Sequence, residues 1–134
     1  RPPEILSLEY SFEPVDAYLD RRANSPIKAV LLVQEIFPGV GNWMADEILW
    51  RSRILPGKRC HKINMQQREE LYKRIIEVSK DAMHVIGTDW RRPPENWLFN
   101  HRWKDGGRCP QTGELLKRAK VGGRTSCWSP SWQS

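Results

Sequence analysis

The chain has 134 residues and carries 22 Lys+Arg against 16 Asp+Glu, a formal charge of +6; at roughly 100–200 residues per domain it is one domain, or one module with an appendage. Hydrophobic residues at 39 % and charged residues at 28 % exclude a disordered tail, and no apolar run approaches the ~18–20 residues of a membrane-spanning helix. Three cysteines without framework spacing exclude a disulfide mini-protein and make a reducing compartment the default, while the basic excess points to a polyanionic partner, most often nucleic acid.

Arg1 to Tyr10 reads as a linker, with Pro2-Pro3 blocking a helix and Ile5, Leu6 and Leu8 available to dock on a core. A short helix is predicted from about Pro14 to Arg22, with proline in its first turn and Val15, Tyr18 and Leu19 on one face. Ser25-Pro26 reads as an N-cap followed by proline at the first helical position. The helix it opens runs to Phe37 and is apolar nearly all round, which places it inside a core. Pro38-Gly39 ends it. Gly39-Val40-Gly41-Asn42 then turns directly into another helix, Trp43 to Arg51, with Asn42 as its N-cap.

Pro56-Gly57 breaks the chain. Asn64 opens a long helix, with Gln67 placed as in a capping box; its apolar stripe is Leu71, Ile75, Val78, Ala82, Val85 and Ile86, and Gly87 closes it. Beyond Pro93-Pro94 the character changes. Segments Leu115–Val121 and Thr125–Trp128 flank Gly122-Gly123, a two-residue hairpin signal. The expected fold class is mainly α, a helical bundle with a small C-terminal β-hairpin, divided into a linker (1–10), a helical domain (11–103) and the hairpin (104–134).

The glycine turn carries the most chemistry. Glycines between two helices allow close backbone approach, and the second helix offers orphan N–H groups and a positive dipole end, a combination that binds phosphate. The same residues also suit a plain interhelical turn. Asp46-Glu47 cannot act as a paired carboxylate, because adjacent helix positions face different directions; complementing the helix dipole is the simpler role. Asp89-Trp90-Arg91-Arg92 is either a basic loop near nucleic acid or a connector. Cys60-His61 has no partner motif.

Pro26-Ile27-Lys28-Ala29 followed by Gly39-Val40-Gly41-Asn42-Trp43-Met44-Ala45-Asp46-Glu47-Ile48-Leu49 resembles the helix-two-turn-helix domain of the formamidopyrimidine-DNA glycosylase and endonuclease VIII family. Gly122-Gly123-Arg124-Thr125 and Gln133 resemble that family's finger hairpin, so the resemblance runs from Pro3 to Gln133. It implies a base-excision-repair glycosylase and abasic-site lyase that removes an oxidised or ring-opened base and cleaves the strand through a Schiff base. The implied partner is double-stranded DNA with a damaged base or abasic site. Lys28, Asn42 and the amides around Gly39 and Gly41 would hold the damaged strand, and Arg124 at the hairpin tip would contact phosphates beside the extruded nucleotide. A monomer is implied, cytoplasmic and nucleoid-associated in a bacterium or nuclear in a eukaryote.

Two departures qualify the resemblance. The family's finger holds zinc through Cys-x2-Cys-x16-Cys-x2-Cys, and those positions here are Cys109, Thr112, Ser129 and Trp132. Only Cys109 of the four is a cysteine, so no zinc and no other cofactor is expected, and packing by Trp128 and Trp132 is the expected substitute. Catalysis in the family uses an N-terminal proline amine and a neighbouring glutamate on a separate β-rich domain. Pro3-Glu4 spells that pair, but Pro3 is preceded by two residues and its nitrogen is an amide. The missing N-terminal catalytic domain is therefore the other expected partner, no catalytic residue is assigned, and the chain alone is expected to be inactive. The alternative is a ribosomal-type or other RNA-binding helix-two-turn-helix module.

Overall fold

The computed structural model describes residues 4–87 and 92–134. Among the described residues, four helices, α1 (Phe12–Arg21), α2 (Ile27–Leu31), α3 (Asn42–Ser52) and α4 (Met65–Gly87), precede an antiparallel hairpin of β1 (Lys117–Val121) and β2 (Arg124–Trp128). Short 3-10 turns lie at Cys60–Lys62 and Leu98–His101. The fold is mainly helical with a two-stranded hairpin, as the periodicities predict. Pro2, Pro3, Asp89, Trp90 and Arg91 lie outside the described residues.

Where local chemistry decides the backbone, sequence and structure agree. Val15, Tyr18 and Leu19 are the buried face of α1. The Asn64 amide donates to Gln67 Oε1 and the Gln67 amide to Asn64 Oδ1, both at 2.9 Å, completing the capping box of α4. Leu71, Ile75 and Val78 then run along its core side. Gly122 and Gly123 take φ of +63° and +82°, the left-handed pair that a tight hairpin requires, and Val121 pairs with Arg124 across them.

Three expectations need correction. The apolar helix ends at Leu31, not Phe37. Gln34 holds the looser path beyond it, donating through Nε2 to the Val40 carbonyl (2.9 Å) and accepting the Gly39 amide (3.0 Å). That bond depends on the chain folding back, which periodicity does not encode. Pro26, not Ser25, occupies the α2 cap position with extended backbone, because Pro26 bridges to Arg59 and the Ile27 amide bonds the Lys58 carbonyl. In the linker Ile5 is buried, whereas Leu6 and Leu8 are exposed.

The main core joins α1 through Leu19, α2 through Ile27 and Leu31, α3 through Ile48 and Leu49, and α4 through Leu71 and Ile75, all fully buried. A second, smaller core contains Trp50 of α3, Leu98, Cys109, Leu116 and Cys127, with Trp132 packed against it. It straddles the expected boundary at 103/104, since Trp50 and Leu98 belong to the helical part and the others to the finger.

Candidate nucleic-acid interface

Helix α3 begins one residue earlier than expected. Gly41 is its N-cap, without any side-chain cap bond, and Asn42 is the first helical residue. Asn42 is therefore not a cap. Its Nδ2 donates to the Thr125 carbonyl at 2.9 Å, and its Oδ1 is buried with no hydrogen-bond partner. The amides of the first turn of α3 are left for an outside acceptor, at the positive end of the helix dipole. Gly39 takes φ +85°, and a side chain at Gly39 or Gly41 would meet nothing within 4 Å, so the outer side of the turn is open. The Gly39 amide itself is occupied by Gln34.

The Asn42–Thr125 bond places that helix end beside Arg124, the first residue of β2 and exposed. Arg124 makes no ion pair among the described residues. A free guanidinium next to unpaired amides is a suitable arrangement for a phosphate.

Lys28 does not present its ammonium to solvent. It is fully buried, and Nζ donates to Asp46 Oδ1 and Ser126 Oγ, both at 2.6 Å. Asp46 is equally buried and accepts from Arg102 Nη2 (2.8 Å) and the Cys127 amide (3.0 Å) through Oδ2. One carboxylate thus joins α2, α3, the segment after the 3-10 turn, and β2. Burial lowers the Lys28 pKa and outweighs the pull of Asp46; Arg102 and Arg124 push it the same way as burial. With two cations against one carboxylate, this buried cluster carries an excess positive charge behind the finger strand.

The dipole role expected of Asp46-Glu47 is replaced by these tertiary bonds. Glu47, also fully buried, accepts the Leu98 and Phe99 amides at 3.1 and 2.9 Å and Arg51 Nε at 3.2 Å. Burial raises its pKa, with Arg51 and the two amides opposing. Sequence reasoning missed Asp46, Arg102 and Ser126 as a group. The run from Ala45 to Trp50 is buried at every position only in the fold; the one signal in the sequence was Lys28 inside an apolar helix, a buried cation that needs a carboxylate.

At the finger base, Cys109 Sγ accepts Trp50 Nε1 at 3.4 Å. Burial raises the thiol pKa, but hydrogen bonds with Ser129, Thr112 and Trp50 prevail and bring it down to about 7. Thr112 and Ser129 hydroxyls both bond the Ser131 hydroxyl, at 2.6 and 3.1 Å. Trp132 turns away from this knot: its Nε1 donates to the Trp50 carbonyl (3.1 Å), and Arg53 lies 3.8 Å over its ring. Gln133 bridges the Ser129 amide and the Ile54 carbonyl. Trp128 is half-buried along a cavity instead of joining the finger core.

Residues 2–92 match the formamidopyrimidine-DNA glycosylase H2TH domain. The formamidopyrimidine-DNA glycosylase of Arabidopsis thaliana is 34 % identical over 136 residues, covering 98 % of this chain and 35 % of its own length. That of Thermus thermophilus is 31 % identical over 141 residues, covering 98 % and 52 %. The crystal structure of the Thermus thermophilus MutM (Fpg) protein superposes with a TM-score of 0.82 at 29 % identity, over 98 % of this chain and 53 % of that one. Lactococcus lactis Fpg in complex with abasic-site DNA gives 0.82 at 26 % identity, over 99 % and 51 %. The chain thus spans about half the length of the bacterial relatives and about a third of the Arabidopsis one. It belongs to the formamidopyrimidine-DNA glycosylase family, carrying the H2TH domain and the hairpin that follows it.

Proposed function

We propose that this chain is the DNA-gripping part of a base-excision-repair glycosylase and abasic-site lyase, holding the backbone of a damaged or abasic strand in duplex DNA. The observation that carries this reading is the Asn42–Thr125 bond, which brings the uncapped end of α3 and the unpaired Arg124 to one place. A phosphate there receives the first-turn amides and the guanidinium fork, with the buried positive charge of Lys28, Asp46 and Arg102 behind it. Lys28 serves as a positioning residue, fixing Ser126 two residues from Arg124. Solved relatives bound to abasic-site DNA and to DNA containing carbocyclic 8-oxo-G support the same partner. Holding the backbone on both sides of an extruded nucleotide supplies part of the cost of flipping it. Excision and strand cleavage are assigned to the part of the relatives outside the match.

The residues at the family's metal positions do not suit zinc. Thr112 and Ser129 offer hydroxyls already bonded to Ser131, and Trp132 points its indole at a carbonyl. Zinc in structural sites takes thiolate and imidazole ligands. We infer a finger held by the Cys109 knot and the Trp132–Gln133 contacts in place of metal.

The test is titration of an abasic-site duplex at several salt concentrations. Affinity falls steeply with salt, and Arg124→Ala lowers it and reduces the salt slope by about one. A slope unchanged by Arg124→Ala, or tighter binding of structured RNA than of abasic duplex, would overturn the reading.

A further inference from the structure

Gln34 lies just past the end of α2 and is exposed, yet both ends of its amide are bonded to the turn that follows. Nε2 donates to the Val40 carbonyl at 2.9 Å, and Oε1 accepts the Gly39 amide at 3.0 Å. The flipped group would set donor against donor and acceptor against acceptor, so one orientation alone serves the turn. The Gly39 bond is exposed, and water would satisfy that amide nearly as well, so its net gain in stability is small. Ordering a long exposed side chain costs entropy in return. What the pair of bonds changes is the direction of the backbone.

Three successive peptide units make up the turn. The middle one, 39–40, is held by the Val40 amide on the Phe37 carbonyl at 3.1 Å, with Phe37 and Val40 fully buried beneath it. The outer two, 38–39 and 40–41, are held by Gln34. Without it, Gly39 at φ +85° is a residue free to adopt many other conformations. No cis peptide occurs among the described residues, so the Val40 carbonyl and the Gly41 N–H of unit 40–41 point opposite ways. Gripping the carbonyl therefore aims the Gly41 amide away from Gln34. That amide bonds nothing among the described residues. Gly41 is exposed, and its amide is next in the chain to the open first-turn amides of α3.

We propose that Gln34 is a positioning residue for DNA, setting the turn so that the Gly41 amide joins the α3 amides on one backbone phosphate of the damaged strand. This rests on the reading of the turn as a phosphate site. A hydrogen bond to a phosphate oxygen is charge-assisted, and a donor already aimed needs no ordering when the phosphate arrives. Gln34 acts through the backbone and requires no contact of its own with the DNA.

The experiment pairs variants of the chain with abasic-site duplexes carrying one neutral methylphosphonate, placed in turn at each backbone position around the lesion. Gln34→Met keeps the side-chain length and removes both bonds. Gln34→Glu keeps an acceptor for the Gly39 amide but no donor for Val40. Both should bind the unmodified duplex about tenfold more weakly than the parent chain. Gln34→Met should leave the salt slope unchanged, because no cation is lost. At one position the methylphosphonate should weaken the parent chain more than the variants and close the gap between them; at the other positions the gap persists. A packing role alone weakens every duplex equally, so a gap that is the same at all positions overturns the proposal, as does Gln34→Met binding like the parent chain. If no methylphosphonate weakens the parent chain, the phosphate reading falls and the role of Gln34 with it. If one does, and Gln34→Met is as sensitive to it as the parent chain, the role of Gln34 alone falls.

Discussion

Asn42 shows how a single amide can serve something other than its own helix. Its Nδ2 holds the Thr125 carbonyl, so Asn42→Ala removes one hydrogen bond between α3 and β2, worth about 0.5–1.5 kcal/mol, and loosens the placement of Arg124. Asn42→Asp does more harm, since a carboxylate then faces both that carbonyl and the phosphate. Abasic-duplex affinity should therefore fall in the order parent, Ala, Asp; equal affinities for the two variants would argue against a phosphate at this turn. Lys28 belongs to the same scale. Lys28→Met strands Asp46 Oδ1 in a dry site, while the Ser126 hydroxyl keeps its bond to the Arg124 carbonyl, and urea denaturation should register a loss of about 3 kcal/mol. Lys28 and Asn42 stand out in the sequence, but the bonds each of them makes are not legible there. A side chain's partner 18 or 83 residues away is a product of folding, and neither spacing nor propensity contains it.

Among the elements, legibility followed the range of the forces involved. The α4 capping box and the Gly122-Gly123 hairpin are decided within a few residues, and both could be read directly. Helix α2 is decided by Gln34, Arg59 and Lys58 from outside it, and its length could not. The finger combines both cases: the spacing of its cysteines is visible in the sequence, but the hydroxyl knot of Thr112, Ser131 and Ser129 is not. Its thiol gives a measurable sign. Cys109 ionises near 7 in the folded chain against 9.0 ordinarily, so between those values the unfolded state binds the extra proton and stability rises with pH. The contribution is complete above 9 and lost as pH falls through 7. Denaturation followed by tryptophan fluorescence at pH 6.5 and 8.5 should show this difference, insensitive to chelator, and Cys109→Ala should abolish it. Cys127, pushed up to about 12 by burial first and Asp46 second, stays a neutral thiol throughout that window.

At the scale of the whole molecule, α3 is the common axis. Its first residue holds Thr125, its middle holds Cys127 through Asp46, and its end receives Trp132 through Trp50. The second core draws Trp50 and Leu98 from one side of the chain and Leu116 and Cys127 from the other. Ribosomes deliver these in order, so a nascent chain displays an unmatched tryptophan and leucine until Leu116 and Cys127 emerge. A version stopped at residue 104 should retain helical circular dichroism but sediment as aggregates, and supplying residues 105–134 as a separate peptide should restore solubility. Vectorial synthesis thus leaves the Trp50–Leu98 surface bare until the hairpin is made, and a chaperone that shields aromatic surface is most useful during that interval.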